Sequence, residues 1–343
     1  MEYRELGNSG IKVSVICLGT MTYGEQNTEK EAHEQLDYAM DRGVNFIDTA
    51  EMYPIPPGAK TQGRTESFIG NWLLNKERDK IILATKITGP GSLNYVAPDL
   101  RFRRSRIINA LDKSLNRLKT DYVDLYQLHW PERKTNFFGK RGYDRHDEQW
   151  EDQFLETIDT LNSLIKEGRI RTYGLSNETP WGLHRVLTLA RIHRMAPPVS
   201  IQNPYSLLNR QFEVGIAEMS IRESAGLLAY SPLAMGVLTG KYLTGKDTPF
   251  DRLNQFKQYT RYNSDSCKFA TQEYFRIAQE AGLSFTQMAL SFVNNQPFVT
   301  SNIIGATNMK QLKENIDSID IKLERSIMKK IQSVHERIPD PAT

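Results

Sequence analysis

Cysteine is scarce in this chain: Cys17 and Cys267 are the only two among 343 residues. Two thiols cannot build a disulfide framework or a four-sulfur zinc site. Cys17 falls in the apolar run 13–18, where a small buried thiol is expected. Net charge is almost absent, since 44 Lys and Arg against 41 Asp and Glu leave +3. Nothing in that balance recommends nucleic acid or an acidic membrane as a partner. Long hydrophobic runs are missing too. No stretch approaches the roughly 18 residues of a membrane span, and residues 1–10 lack the apolar core of a signal peptide. The expectation is a soluble, cytoplasmic protein in a reducing compartment, with no nucleic acid and no membrane among its partners.

Several motifs are also absent. No Gly-x-Gly-x-x-Gly joins a strand to a helix; Gly89-Pro90-Gly91 starts one and lacks the third glycine. That excludes a dinucleotide domain of the usual kind. The stretch from Gly236 to Lys241 is one residue short of a P-loop and has Tyr242 where Ser or Thr belongs. There is no Gly-x-Ser-x-Gly elbow. His33-Glu34 is not followed by a second His at zinc-protease spacing, and six scattered histidines give a metal site no support.

What is present is a recurrence. Eight short apolar runs, at 13–18, 45–48, 81–86, 122–129, 171–175, 199–202, 227–230 and 302–305, are nearly all followed by a helical pattern. The helical stretches are 29–42, 65–75, 106–118, 155–167, 180–193, 213–223, 271–281 with 285–294, and a last pair at 309–318 and 324–335. Ala32, Leu36, Ala39 and Met40 share one face, as do Ile107, Leu111, Leu115 and Leu118. Gly43, Gly168 and Gly226 stand where helix-ending glycines belong. Strands this short and apolar suit a parallel sheet buried on both faces. Eight such units in about 300 residues predict a single (β/α)8 barrel over 1–343, with an open doubly wound sheet as the alternative. Residues 3–13, with the turn Gly7-Asn8-Ser9-Gly10, predict a hairpin ahead of the barrel. Two long loops, 130–154 after the fourth strand and 234–266 after the seventh, would lie at the C-terminal face. Arg101, Arg103, Arg104 and Arg106 read as a solvated approach to a helix.

Three neighbouring strands end on ionisable residues: Asp48, Lys86 and His129. Tyr53 follows Asp48 in the loop. Buried charges of this kind are expensive unless paired. Together they make a coherent chemistry. Asp48 can pair with Lys86, and an adjacent ammonium favours the phenolate of Tyr53 and lowers its pKa. Tyr53 can then act as a general acid on an oxygen that gains negative charge, while His129 orients that oxygen. The matching reaction is hydride addition to a carbonyl, which requires a nicotinamide because no side chain supplies hydride.

The run from Gly43 through Asp48-Thr49-Ala50-Glu51-Met52-Tyr53 resembles the aldo-keto reductase superfamily. So do Gly19-Thr20-Met21, Ala84-Thr85-Lys86, Asp121 through Gln127-Leu128-His129, Gly174-Leu175-Ser176-Asn177, Gln202-Asn203 and Tyr230-Ser231-Pro232-Leu233. These cover nearly the whole chain in order. Pro54 after Tyr53, the run Pro204 to Arg210 and the insert after His129-Trp130-Pro131 are similar to the bacterial Tas-type branch, related to potassium-channel β subunits. The resemblance implies NADP(H) lying extended across the barrel mouth, and a small carbonyl substrate. It implies a catalytic tetrad of Asp48, Tyr53, Lys86 and His129. It places Ser176, Asn177 and Gln202 at the carboxamide and Tyr230 against the nicotinamide. Ser231, Pro232, Leu233, Ala234, Gly236 and Lys241 would follow the pyrophosphate. Gly305, Thr307, Gln311, Glu314 and Asn315 would meet the adenosine end. Gly19, Thr20, Met21 and Asp48 complete the implied contacts.

Two departures matter. Many members carry Ile-Pro-Lys-Ser where this chain has Ile304-Gly305-Ala306-Thr307, and Arg where Gln311 stands. A phosphate-binding Lys is therefore missing, and Arg261 on the loop after the seventh strand becomes the candidate for the 2′-phosphate, with Thr307 as its partner. The gap from Tyr53 to Glu66, with Pro54, Pro56 and Pro57, reshapes the substrate mouth. Trp130, Phe137, Phe138 and Trp150 either wall an apolar pocket or pack the insert onto the barrel. A regulatory subunit that senses NADPH is a second reading, which the channel-subunit resemblance permits without residues that support a protein partner. A metal-dependent barrel hydrolase is a weaker third.

Overall fold

A computed structural model describes residues 1–144 and 146–342. Its first strands, β1 (Tyr3–Glu5) and β2 (Lys12–Ser14), pair antiparallel as the expected hairpin, Tyr3 opposite Ser14. The turn needs Gly7, which is left-handed, and a Cβ there would meet the Ser224 carbonyl at 2.7 Å. The run 13–18 is not one strand, however. Ser14 leaves the hairpin, its N–H donating to Asn45 Oδ1 at 2.7 Å and its Oγ to the Ile16 carbonyl at 2.6 Å. The barrel starts only at β3 (Ile16–Gly19).

The chain continues through α1 (Glu29–Asp41), β4 (Phe46–Asp48), α2 (Arg64–Leu73), β5 (Ile82–Ile87), α3 (Arg104–Leu118) and β6 (Val123–Leu128). Next come α4 (Phe154–Lys166), β7 (Ile170–Ser176), α5 (Pro180–Ile192), β8 (Ser200–Pro204), α6 (Phe212–Gly215), α7 (Ala217–Arg222) and β9 (Gly226–Tyr230). Then α8 (Lys241–Thr244), α9 (Arg252–Gln255), α10 (Asp265–Glu280) and α11 (Phe285–Asn294) lead to β10 (Val299–Ile304), α12 (Met309–Asp317) and α13 (Arg325–Arg337). Strands β3 to β10 close into one barrel, β10-β3-β4-β5-β6-β7-β8-β9, with every pair parallel. The architecture is the (β/α)8 barrel, and the open doubly wound sheet is excluded.

Local departures have local causes. The expected helix 213–223 breaks between α6 and α7, where Ile216 leaves helical geometry. Gly226 opens β9 instead of ending a helix, and the left-handed residue there is Ser224. α10 starts ahead of 271 because Ser264 caps it, its Oγ accepting the Cys267 N–H at 3.2 Å. The long stretches 129–153 and 231–264 both leave the C-terminal ends of strands. No helix among the described residues is long and apolar enough to cross a membrane.

Side chains alternate along the strands with period two. Cys17, Phe46, Ile82, Ala84, Leu125, Leu228 and Ile303 share the barrel interior, while Ile47, Leu83 and Tyr126 face the helices. Cys17 is buried, as expected for a small apolar thiol. Leu6, Ile11 and Val13 of the hairpin join the same interior cluster, so the hairpin plugs the N-terminal end of the barrel. Leu6 is fully buried there. Leu6→Ala removes plug volume without touching the opposite end, and the expected cost is about 2–5 kcal/mol. A lowered urea midpoint with unchanged slope checks it.

Candidate active site

The alternation that buries Phe46, Ala84 and Leu125 carries Asp48, Lys86, Gln127 and His129 onto the same inner wall, one layer nearer the C-terminal mouth. Lys86 Nζ donates to Asp48 Oδ2 at 2.5 Å and to the Thr49 carbonyl at 2.8 Å. It also reaches the Tyr53 hydroxyl at 3.5 Å and lies 4.9 Å from that ring's centroid. Asp48 Oδ1 accepts from Gln127 Nε2 at 3.0 Å and from Gln202 Nε2 at 2.9 Å. Thr20 anchors the strand end: its N–H and Oγ both donate to the Asp48 carbonyl, at 3.1 and 2.8 Å.

Tyr53 sits on the loop after β4, and that loop is tied down on both sides. Its N–H donates to the Ala50 carbonyl at 3.1 Å, and the Gly63 N–H donates to the Tyr53 carbonyl at 2.9 Å. Between them, the buried Glu51 carboxylate accepts the Thr88 N–H at 3.0 Å and Arg106 Nη2 at 2.7 Å. Arg106 therefore departs from its expected solvated role. Its side chain is 9% exposed and paired with Glu51, whereas Arg101, Arg103 and Arg104 stay at the surface.

Burial decides the protonation states. It raises the Tyr53 phenol above its ordinary value, and the Lys86 ammonium pulls the other way without prevailing. The expectation that Lys86 would bring the phenol below its ordinary value counted the charge and left out the desolvation. Burial also opposes the Lys86 ammonium, yet the Asp48 carboxylate and the Tyr53 hydroxyl together hold its pKa above the ordinary lysine value. His129 is held well below the ordinary imidazole range, by burial first and then by Lys86. Its Nδ1 is buried with no hydrogen-bond partner among the described residues. The Tyr53 and His129 rings meet edge to face, centroids 5.8 Å apart.

The residues implied in cofactor contacts fall into three groups. At the barrel centre, Ser176 Oγ donates to the Gln202 carbonyl at 2.9 Å, and Asn177 Nδ2 donates to the His129 carbonyl at 2.8 Å. Tyr230 donates its hydroxyl to Asn177 Oδ1 at 2.6 Å. A second group follows β9. Ser231, Ala234, Met235 and Gly236 are all left-handed there, a concentration of backbone strain typical of ligand-holding loops. A Cβ on Gly236 would meet Lys241 Cε at 3.0 Å, and Lys241 pairs with Asp251. Pro232 and Leu233 lie within this loop. The third group follows β10. Thr307 donates from its N–H and hydroxyl to Gln311 Oε1, at 2.9 and 3.1 Å, and Asn315 Nδ2 donates to the Gly305 carbonyl at 3.0 Å. Glu314 accepts from Ser284 Oγ at 2.6 Å. Because β10 pairs with β3, this group meets the β3 loop, where Gly19 ends the strand and Asn27 Nδ2 donates to the Thr307 carbonyl at 2.9 Å.

The two loop arginines divide differently from expectation. Arg261 lies against the hydroxyls of Tyr230 and Tyr262, on the Tyr230 side of the mouth. Arg252, which the sequence did not single out, donates to Gln26 Oε1 at 3.4 Å and lies 3.9 Å from Met21 Sδ. Arg252 thus reaches the loop after β3, and it also lies within electrostatic reach of Tyr53 and Tyr262. Among the described residues no carboxylate pairs with it, and burial lowers its pKa.

The aromatic insert packs onto the barrel. Trp130 and Phe137 join Ala50, Met52, Tyr53, Ile55, Val96 and Leu100 in an apolar cluster beside the tetrad. Phe138 stands edge-on to Trp130 at 5.7 Å. Trp150 instead packs on Phe154 and Trp181 around Arg133, which pairs with Glu178 at 2.6 Å and clamps the insert to the barrel. Gln127, Arg106 and Arg252 are the residues missed. Gln127 left a signal as an amide two positions from His129 in a wholly buried strand, and Arg252 left one as a cation of the 234–266 loop beside Lys241 and Arg261.

The aldo/keto reductase family pattern matches residues 15–336. The chain is 49% identical over 345 residues to "Protein tas" of Escherichia coli (strain K12), with both chains covered completely. It is 33% identical over 343 residues to "Uncharacterized oxidoreductase YrpG" of Bacillus subtilis (strain 168), covering 97% of this chain and 96% of that one. It is also 31% identical to the "Probable voltage-gated potassium channel subunit beta" of Arabidopsis thaliana, over 99% of this chain and 98% of the relative. The chain belongs to the aldo/keto reductase family, a family of oxidoreductases that generally use NAD(P)H.

Proposed function

We propose that the protein reduces an aldehyde or ketone to an alcohol with NADPH. The observation that carries this reading is the Tyr53 hydroxyl 3.5 Å from the ammonium of the buried Lys86–Asp48 pair and edge to face with His129, in surroundings whose burial raises the phenol and lowers the imidazole. The residues present fit a dinucleotide laid across the mouth. Gln202 has an unengaged Oε1 at the centre, the strained 231–236 loop lies beside it, and Arg252 is a half-buried cation without a carboxylate.

Bound NADPH would supply the hydride to the carbonyl carbon. The tetrad supplies the rest. His129 Nε2–H orients the carbonyl oxygen, and Tyr53 donates its proton to that oxygen as negative charge develops there. The Lys86 ammonium stabilises the phenolate left behind, Asp48 keeps Lys86 aimed at it, and solvent returns the proton. Tyr53→Phe removes the acid and keeps the ring. Reduction is expected to fall at least about 100-fold while fluorescence titration gives an unchanged Kd for NADPH. Full activity in that variant would rule Tyr53 out as the acid.

The pH dependence follows from the two shifts. Tyr53 must be protonated, and its pKa is raised, so kcat/KM stays level through neutral pH and falls only as the phenol ionises above 10. His129 is neutral throughout, so no inflection is expected at the ordinary imidazole value of 6.5. An inflection there that vanished in His129→Asn would show that the ring titrates.

Preference for NADPH over NADH needs a cation at the 2′-phosphate. Arg261 is the candidate from sequence, and the placement of Arg252 beside Gln26 favours Arg252 instead. Arg252→Gln should weaken NADPH binding about ten- to a hundredfold, the worth of one charged hydrogen bond, with NADH little affected. Arg261→Gln should leave the ratio of the two affinities unchanged. The reverse outcome would return the assignment to Arg261.

A further inference from the structure

The floor of the mouth holds a polar side chain that the tetrad chemistry does not use. Gln127 is fully buried on β6, and its register partners are Lys86 on β5 and Gly174 on β7. It touches two residues assigned to different tasks. Gln127 Nε2 donates to Asp48 Oδ1 at 3.0 Å, and Gln127 Oε1 accepts from Gln202 Nε2 at 3.0 Å. Gln202 Nε2 donates its other hydrogen to Asp48 Oδ1 at 2.9 Å.

The orientation of both amides follows from the carboxylate. An ionised Asp48 only accepts, so each glutamine must turn its NH₂ toward it. With its NH₂ turned to Asp48, Gln127 faces Gln202 with its oxygen, and that oxygen takes the second hydrogen of Gln202. Both Gln202 hydrogens are thereby committed inward, and Oε1 is the atom left facing the mouth. An unengaged oxygen there accepts a hydrogen bond and repels another acceptor.

We infer that Gln127 is a positioning residue that fixes the Gln202 amide, so that the site accepts a dinucleotide bearing a carboxamide and rejects one bearing a carboxylate at the same ring position. A nicotinamide group has an NH₂ to donate to Gln202 Oε1. A nicotinic acid group has only acceptors and would meet that oxygen with like charge. Without an acceptor at position 127, one Gln202 hydrogen is freed. A small rotation then turns that hydrogen toward the mouth while the bond to Asp48 persists, and the carboxylate form gains a donor. This inference rests on the cofactor reading above.

The test compares Kd for NADPH with Kd for its nicotinic acid counterpart, by fluorescence titration, in the wild type, Gln127→Leu and Gln127→Glu. Binding of 2′,5′-ADP reports the adenosine end separately. The wild type should prefer NADPH by at least about tenfold. Gln127→Leu should narrow that preference about tenfold and leave 2′,5′-ADP binding unchanged. Gln127→Glu, held protonated against the buried Asp48 carboxylate, keeps a donor for Asp48 and an acceptor for Gln202 and should retain the preference. An unchanged preference in Gln127→Leu with normal 2′,5′-ADP binding overturns the inference. So does a parallel loss of 2′,5′-ADP binding in both variants, which would make Gln127 merely structural. A wild type that binds 2′,5′-ADP and neither dinucleotide would overturn the cofactor reading itself, and this inference with it.

Discussion

The Asp48–Lys86 pair is the constraint around which the barrel mouth is organised. Both side chains are almost wholly inaccessible, at 3% and 0% exposure. Desolvating two charges costs several kcal/mol per ion, and mutual attraction offsets this only when the remaining valences are filled. Here they are filled from all round the barrel. β6 and β8 supply Gln127 and Gln202 to one carboxylate oxygen, and β5 supplies Lys86 to the other. The Thr49 carbonyl and the Tyr53 hydroxyl take up Lys86 Nζ. An open sheet would bring these strands to one place only with difficulty, so closure of the barrel and burial of the charge support each other.

Holding Tyr53 over that pair is a separate task, done outside the barrel wall. Glu51 turns away from the interior and is tied to Arg106 on α3 and to the Thr88 backbone just beyond β5. Glu66 on α2 does the equivalent about three turns further along α3, between Thr85 and Arg117. The loop carrying the phenol is therefore braced from the helix layer, while the Lys86 ammonium beside it is braced from the core. The two networks meet at Lys86, whose ammonium donates to the Thr49 carbonyl and whose own carbonyl accepts the Glu51 N–H, so Tyr53 and Lys86 are held relative to each other.

The sequence exposed the parts of this design that repeat locally. Strand alternation and strand-end charges made Asp48, Lys86 and His129 legible, and the βα recurrence made the barrel legible. What it hid depends on distance or burial. Glu51 and Arg106 are 55 positions apart, so Arg106 reads as one more residue of a basic surface run until the fold brings them together. Ser14 breaks an apolar run because Asn45 waits beside it, which composition cannot reveal. The direction of the Tyr53 shift was misread because charges can be counted along a chain and desolvation cannot. Arg252 and Arg261 sit nine positions apart in one long loop, and only the path of that loop brings Arg252 to Gln26 and Arg261 to the hydroxyls of Tyr230 and Tyr262.

The same division of labour bears on what the mouth can admit. Its floor is a hydrogen-bonded lattice of Asp48, Lys86, Gln127 and Gln202 whose members cannot be exchanged singly without stranding a buried polar group. Its wall is built from loop residues: Met52 and Ile55 after β4, Val96 and Leu100 after β5, Trp130 and Phe137 after β6. Those make apolar contacts and few specific bonds, and apolar swaps of similar volume are tolerated far better than polar ones. Trp130 is the exception, because its indole N–H donates to the Pro90 carbonyl at 2.7 Å and its ring stacks toward His129 at 4.9 Å. It therefore couples wall to floor. The apolar cluster can be repacked while the hydrogen-bonded floor stays intact, and Trp130 is where a change in one would be felt in the other.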